Sequence, residues 1–435
     1  MKKILYTLII SAITFGCTID DQVNPNAPSL NDVLSSATQT ELNNLVNGIL
    51  AGMRSSHSLW VTSSGTLSRE LYLFDADPRN TTDLIGTTGS LSNSAFYTGA
   101  NWNARYKVIK NCNILLEALP GAVVSDTDKD GYSAFAKTIQ AHQFMILWSA
   151  YFDSGVRLDV ADPNDFGPLV TDPNLVLDEI RSLLDDAMTD LGTATFGMDL
   201  LRGFDGFDAP STFGEFNRAL AARAAIYDGD NAGARAALAD SFMDINGDLS
   251  VGPKMIYSNS GGDVLNDLFK TPDQNGNQIV FSDTWINEAQ GGDSRVTSKS
   301  ALRTNPTVKS GISAAYETRL YESSTSSIDI IRNEELLLIY AEANIGFDNV
   351  EALAGINAVR SEAGLTDLVG TVTIDDVLTE RRYSLWGEAH RMVDLRRTGN
   401  LNDTYVTLDN IVVDGNPVTQ IIYTKFPVPQ VETGF

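Results

Sequence analysis

Apolar positions along this chain recur mostly at three- and four-residue steps, the spacing that lays one stripe on a helix. Residues 42–54, 101–121, 133–155 and 174–192 each carry such a stripe, and several of these runs end at glycine. Two later stretches, 216–241 and 335–364, each read as helix, glycine-containing turn and second helix, with Ala221, Ala224, Ala225, Ala341 and Ala343 letting helices approach closely. That is the arrangement of tetratricopeptide-type hairpins, here separated by an irregular span. A last long helix is predicted over 374–397. Thr373 and Asp376 form a capping box at its start, acids fill its first turn, arginines fill its last, and Gly399 stops it. Glu388 and Arg391, one turn apart, are expected to pair. Between the helices, 55–100 and 242–330 are rich in Ser, Thr, Gly, Asn and Asp and read as long insertions, either functional or disordered.

Charge narrows the partners. A net charge of −25 over 435 residues argues against nucleic acid and against an anionic membrane surface. The first residues are processing signal: Lys2 and Lys3, an apolar run from Ile4 to Phe15 too short to span a bilayer, then Gly16-Cys17. Residues 1–16 thus resemble a lipoprotein signal peptide, with Cys17 as the lipidated (palmitate-bearing) residue, 17–29 as a tether and 30–435 as one globular domain. A plain secretory leader is the alternative. With Cys17 spent, Cys112 has no partner for a disulfide, and the membrane is reached by the lipid anchor only.

Within 374–397 the order Glu380-Arg381-Arg382, Glu388-x-x-Arg391, Asp394-Leu395-Arg396-Arg397 resembles the C-terminal signature of the RagB/SusD family of outer-membrane nutrient-binding lipoproteins. Met392, Val393 and Ser384 stand where that family has aromatics or a further Glu. Trp102, Tyr106, Asn113 and Leu115, the turn Phe166-Gly167-Pro168-Leu169, and the closing Pro427-x-Pro429-x-x-Glu432 are similar to family motifs as well. The resemblance implies a mostly α, SusD-like fold, in which tetratricopeptide-type hairpins form a spine and loop-rich insertions form the ligand face. It also implies a surface-exposed outer-membrane protein that holds an oligosaccharide, or in some members a peptide, for a SusC-like TonB-dependent transporter.

No cofactor is expected. The three histidines, His57, His142 and His390, are far apart and in no ligand spacing, and no nucleophile elbow or phosphate loop is present. Asp126, Asp128 and Asp130 copy half of a calcium loop, but Lys137 stands where its bidentate Glu belongs, so the stretch reads as an Asp-rich turn and no metal site is assigned. Flat aromatics mixed with Asp, Asn and Arg suit a sugar. The first insertion offers Trp60, Tyr72, Phe74, Asp77, Arg79, Asn80, Phe96 and Tyr97, the second Trp285, Asn287 and Arg295. Trp102, Trp148 and Trp386 are assigned to the core. A surface glycan hydrolase and a pure interaction scaffold are the rival functions.

Overall fold

The computed structural model describes residues 30–432 apart from positions 88, 163, 201–202, 403–404, 407, 409–410 and 414. The leader, Cys17 and the tether lie outside the described residues.

Helices α1 (Leu30–Ser36) and α2 (Gln39–Arg54) open the body. Thr38 caps α2 in a reciprocal box: Glu41 N donates to Thr38 Oγ1 at 3.4 Å, and Thr38 N donates to Glu41 Oε2 at 2.8 Å. Leu42, Val46, Ile49 and Met53 form its buried stripe. Next come α3 (His57–Leu67), β1 (Leu71–Phe74) and α4 (Arg79–Ile85). The antiparallel pair α5 (Phe96–Ala118) and α6 (Asp126–Tyr151) follows, then strands β2 (Val156–Arg157) and β3 (Leu169–Val170) and helix α7 (Pro173–Leu191) packed on α6. Asp126–Asp130 are not a loop at all: Ser125 caps them into the first turns of α6 by accepting from Asp128 N at 3.1 Å. Trp102 and Trp148 are buried, as expected.

The two hairpins stack on each other. Helices α8 (Pro210–Tyr227) and α9 (Asn231–Ala239) make one; α12 (Asn333–Ala343) and α13 (Asn349–Glu362) make the other, with α12 against both α8 and α9. A buried ion pair clamps them: Arg223 Nη2 on α8 lies 2.5 Å from Glu335 Oε2 on α12. Within the second hairpin, Gly355 is required by close approach, since a Cβ there would sit 2.8 Å from Leu337 O.

The span between the hairpins holds β4 (Lys254–Met255), β5 (Gln278–Phe281), α10 (Asp283–Asn287), α11 (Ser294–Lys299), β6 (Ser300–Lys309), β7 (Ile312–Thr318) and β8 (Ile328–Asp329). Here the structure corrects the sequence reading, because the two insertions are one unit. Strand β1 of the first pairs antiparallel with β5 of the second, Leu71 opposite Phe281 and Phe74 opposite Gln278, in a sheet ordered β1-β5-β7-β6. Much of 55–100 is also core rather than loop. Helix α3 buries Trp60 to Leu67 despite its Ser and Thr content, because those hydroxyls donate to carbonyls four residues back: Thr62 to Ser58 O and Thr66 to Thr62 O, both at 2.8 Å.

The helix predicted over 374–397 is broken. Helix α14 (Ile374–Ser384) starts at the expected Thr373–Asp376 box, but the chain turns at Gly387 (φ 80°) and Ala389 (φ 65°) before α15 (Arg391–Arg397). In one continuous helix Arg381 and Asp394 would stand about 20 Å apart along the axis. The turn brings Arg381 Nε to 2.7 Å from Asp394 Oδ2. Glu388 does not pair with Arg391. It binds Arg332 instead, and Arg391 approaches Glu70 at 3.6 Å.

Candidate functional site

The signature charges turn inward. Glu380, on α14, meets Arg295 at 2.7 Å and also Arg360 on α13; Arg382 meets Glu70 at 3.0 Å, just ahead of β1. Asp394 serves both Arg381 and Arg397, and Arg397 reaches Glu342 on α12. Each carboxylate there sits among guanidinium groups. Asp394 and Glu335 are accordingly held down to about 2, the Arg381 and Arg223 charges respectively outweighing the upward push of burial. This segment therefore locks the first insertion, the second insertion and the second hairpin together.

The same lock absorbs several residues expected on the ligand face. Trp285 is 0% exposed, packed against Phe281, Tyr383 and Trp386 at 4.6, 4.9 and 5.9 Å between ring centres, with its indole N–H donating to Arg382 O. Arg295 is tied to Asp293 and Glu380 and donates to Ser384 Oγ at 3.0 Å. Tyr72 and Phe74 project to one side of β1, into a small core with Ile85, Val280, Ile312, Ala314 and Ile411. Trp60 and Tyr97 are buried in the main core. A sugar ring needs an uncovered aromatic face, and Trp60, Tyr72, Phe74, Tyr97 and Trp285 offer none in this structure. Asn287 is exposed at the end of α10.

What the first insertion does bring together is a polar corner around one open ring. After β1, Asp75 Oδ1 accepts from Asp77 N at 2.8 Å and Asp77 Oδ1 accepts from Arg79 N at 2.9 Å, consecutive Asx turns that lead through Pro78 into α4. The Arg79 guanidinium then grips the Asp77 carboxylate, Nε–Oδ1 2.9 Å and Nη2–Oδ2 2.6 Å. It also lies 4.4 Å over the ring of Phe96, the first residue of α5, which is 45% exposed. Asn80 is buried beneath, donating to Asp75 Oδ1 at 2.5 Å. From the second insertion, Lys309 at the end of β6 brings its ammonium to 3.7 Å from the same oxygen, and that nitrogen makes no hydrogen bond among the described residues. The Arg79 hydrogen bond lowers the Asp77 pKa, so the carboxylate stays charged. Burial first, and Asp77 second, push the Tyr97 phenol up. The corner can stack on a flat ring and offer oxygens and cations to hydroxyls. Lys309 escaped the sequence reading; only the pairing of β1 with β5 places it here.

The three histidines, scattered in sequence, line one cavity of about 60 Å³ with Arg223, Tyr227 and Glu388. Burial keeps them neutral: His390 falls to about 4, His57 to about 3 with help from Arg105, and burial with Arg223 holds His142 well below its ordinary value. Among the described residues no group of His, Cys, Asp or Glu is arranged to hold a metal.

Comparisons with known proteins agree with this architecture. A family model described as the SusD family matches residues 227–431. No curated protein sequence matches the chain. Among solved structures, surface glycan-binding protein A from Bacteroides uniformis superposes with a TM-score of 0.65 at 18% identity, covering 84% of this chain and 89% of that one. The same-named protein from Bacteroides thetaiotaomicron, in complex with laminarihexaose, gives 0.68 at 15% identity over 91% and 97%. A SusD superfamily protein from Bacteroides vulgatus gives 0.65 at 14% over 91% and 96%. The chain therefore has the SusD fold and, over residues 227–431, the sequence pattern of the SusD family.

Proposed function

We propose that this protein captures an oligosaccharide at the corner formed by Asp75, Asp77, Arg79, Phe96 and Lys309. The observation that carries the reading is Phe96, an aromatic ring left half-exposed among charged groups already fixed by one another, where the other candidate aromatics are buried. A ring of this kind stacks on the C–H face of a sugar, and groups held in place beforehand lose little freedom on binding hydroxyls. That two proteins of this fold are surface glycan-binding proteins supports the same class of ligand. Capture then makes and breaks no covalent bond. With lipidation at Cys17, the body sits on the outer membrane and hands its glycan to a SusC-like TonB-dependent transporter.

The test is calorimetric titration of residues 20–435 with laminarihexaose and a panel of other oligosaccharides and oligopeptides, repeated with Phe96→Ala. A glycan signal lost in the variant, at unchanged melting temperature, is the expected result. A signal that survives Phe96→Ala removes the corner from the reading, and binding of peptides alone moves the protein to the oligopeptide members of its family.

A further inference from the structure

The chain contains three Asn-Gly pairs, Asn47-Gly48, Asn246-Gly247 and Asn275-Gly276. A glycine after asparagine has no Cβ to shield its backbone nitrogen, so that nitrogen can reach the side-chain carbonyl carbon before it and close a succinimide ring. The fold treats the three pairs differently. Gly48 lies inside α2, where the helical ladder engages its N–H and fixes its backbone. Gly247 N donates to Asp244 O at 3.2 Å. Gly276 lies in the exposed turn 273–277 ahead of β5, at φ 83°, and its N–H makes no hydrogen bond among the described residues. Apart from its chain neighbours, no atom among the described residues lies within 4 Å of where its Cβ would be, which leaves room for the ring.

The side chain of Asn275 is already held by a cation. Arg303 on β6, buried and 3.6 Å from Glu317, donates from Nη2 to Asn275 Oδ1 at 3.3 Å and to Gln274 O at 3.4 Å. A guanidinium on that oxygen draws electron density from the carbonyl carbon and stabilises the negative charge that builds on the oxygen as the carbon is attacked. The other charges around the turn are engaged elsewhere. Asp273 accepts from Thr304 N and Thr304 Oγ1 at 2.7 and 2.9 Å, and Glu317 accepts from Arg319, Gln278 and Asp273 N. We propose that Asn275-Gly276 is a site of spontaneous deamidation. Gly276 N attacks Asn275 Cγ, the proton of that nitrogen passes through solvent to the departing Nδ2, and the Cγ–Nδ2 bond breaks with loss of ammonia. Water then opens the succinimide to aspartate or isoaspartate, and no oxidant or enzyme enters the balance. The aspartate form keeps its new carboxylate on Arg303, whose Nε and Nη1 have no hydrogen-bond partner among the described residues. The isoaspartate form reroutes the main chain through the side-chain carbon, just ahead of the Gln278 that stands opposite Phe74. The site does not depend on the glycan corner.

The test is to hold the full chain in mildly alkaline buffer, both folded and unfolded in guanidinium chloride, and to follow each Asn-Gly pair by peptide mass mapping that separates acid from amide. In the folded chain Asn275 is expected to convert at least about tenfold faster than Asn47 or Asn246. In guanidinium chloride the three pairs should convert at comparable rates, because the fold makes the difference between them. Arg303→Lys keeps the charge but loses the planar fork, and should slow Asn275 severalfold in the folded chain alone, with a melting curve to show that the variant is folded. Conversion of Asn47 or Asn246 as fast as Asn275 in the folded chain, or a preference for Asn275 that persists in guanidinium chloride, overturns the proposal. An unchanged rate in folded Arg303→Lys overturns the part assigned to Arg303.

Discussion

The corner around Phe96 and the lock around α14 and α15 use the same side chains for opposite ends. In the lock, the side chains of Arg381 and Asp394 are 1% and 2% exposed, and each charge is answered by buried partners on other elements. At the corner, Arg79 and Asp77 are 47% and 25% exposed and lie two residues apart in the chain. Breaking a buried pair strands a charge at about 3–5 kcal/mol, whereas an exposed pair is worth about 0–1 kcal/mol. Charge that is costly to disturb belongs to the fold. Charge that is cheap to disturb is free to meet a ligand, and the two regions divide along that line.

The largest expected effect tests the division directly. Asp394→Ala strips Arg381 of its ion-pair partner and leaves Arg397 with Glu342 alone, and should cost about 3–5 kcal/mol in urea unfolding, while Asp77→Ala costs less than about 1 kcal/mol. Equal losses would mean that the corner is as structural as the lock. The Asp394→Ala loss should persist at high salt, since a buried pair is screened little.

Acid separates the lock from the histidine cavity beside it. The histidines are held below their unfolded value of 6.5, so the unfolded chain binds more protons, and stability present above pH 6.5 is lost as pH falls toward about 4. By linkage each contributes a loss of about 2 kcal/mol by pH 5. Arg223, Arg381 and Arg105 oppose protonation, and Glu335 and Asp394 favour it, with burial the largest cause. Asp394 and Glu335 themselves, depressed to about 2 from ordinary values of 3.8 and 4.5, lose their contribution as pH falls from about 5 toward 2. Thermal melts from pH 8 to 2 should thus fall in two legs, and His142→Gln should flatten only the upper one. A single leg beginning near pH 5 would show that the histidines do not couple to folding.

Much of this was legible because helices announce themselves. The stripe Leu42, Val46, Ile49, Met53 and the Thr373–Asp376 box fixed two elements, and the alanine-rich hairpins fixed the spine. Three kinds of information were hidden. Ser and Thr in α3 bond to their own helix, so composition read loop where there is core. The break at Gly387 has its signal in the glycine itself, but the reason for it, Arg381 meeting Asp394, lies in three dimensions. Strand β1 was readable too: Leu71 to Phe74 is a short apolar run between Glu70 and Asp75, the mark of a buried strand, and reading it so would have kept Tyr72 and Phe74 off the ligand face. Its partner lies some two hundred residues on, and no local pattern names it. The matched family segment, 227–431, holds most of the lock and Lys309 but leaves the rest of the corner, residues 75–96, outside it.

Binding effects come next in size. Phe96→Ala should weaken glycan binding at least about tenfold, roughly 1.4 kcal/mol, and leave the melting temperature within about a degree or two, as expected for a ring that is 45% exposed. Trp285→Ala should do the reverse, lowering the melting temperature sharply through loss of core packing, with glycan affinity per folded molecule retained.

The smallest expected effect is the most specific. Arg79→Lys keeps the positive charge but removes the planar fork that grips both Asp77 oxygens and lies over Phe96. If the corner works by charge alone, the variant binds glycan as the parent does. If it works by holding Asp77 and the Phe96 ring in a fixed relation, affinity falls about two- to fivefold, with stability unchanged. The fall should be absent in a Phe96→Ala background, because the ring that Arg79 orients is no longer there, and a double-mutant cycle reads that coupling directly. Additive losses would mean that Arg79 touches the ligand on its own account and that the stack is incidental.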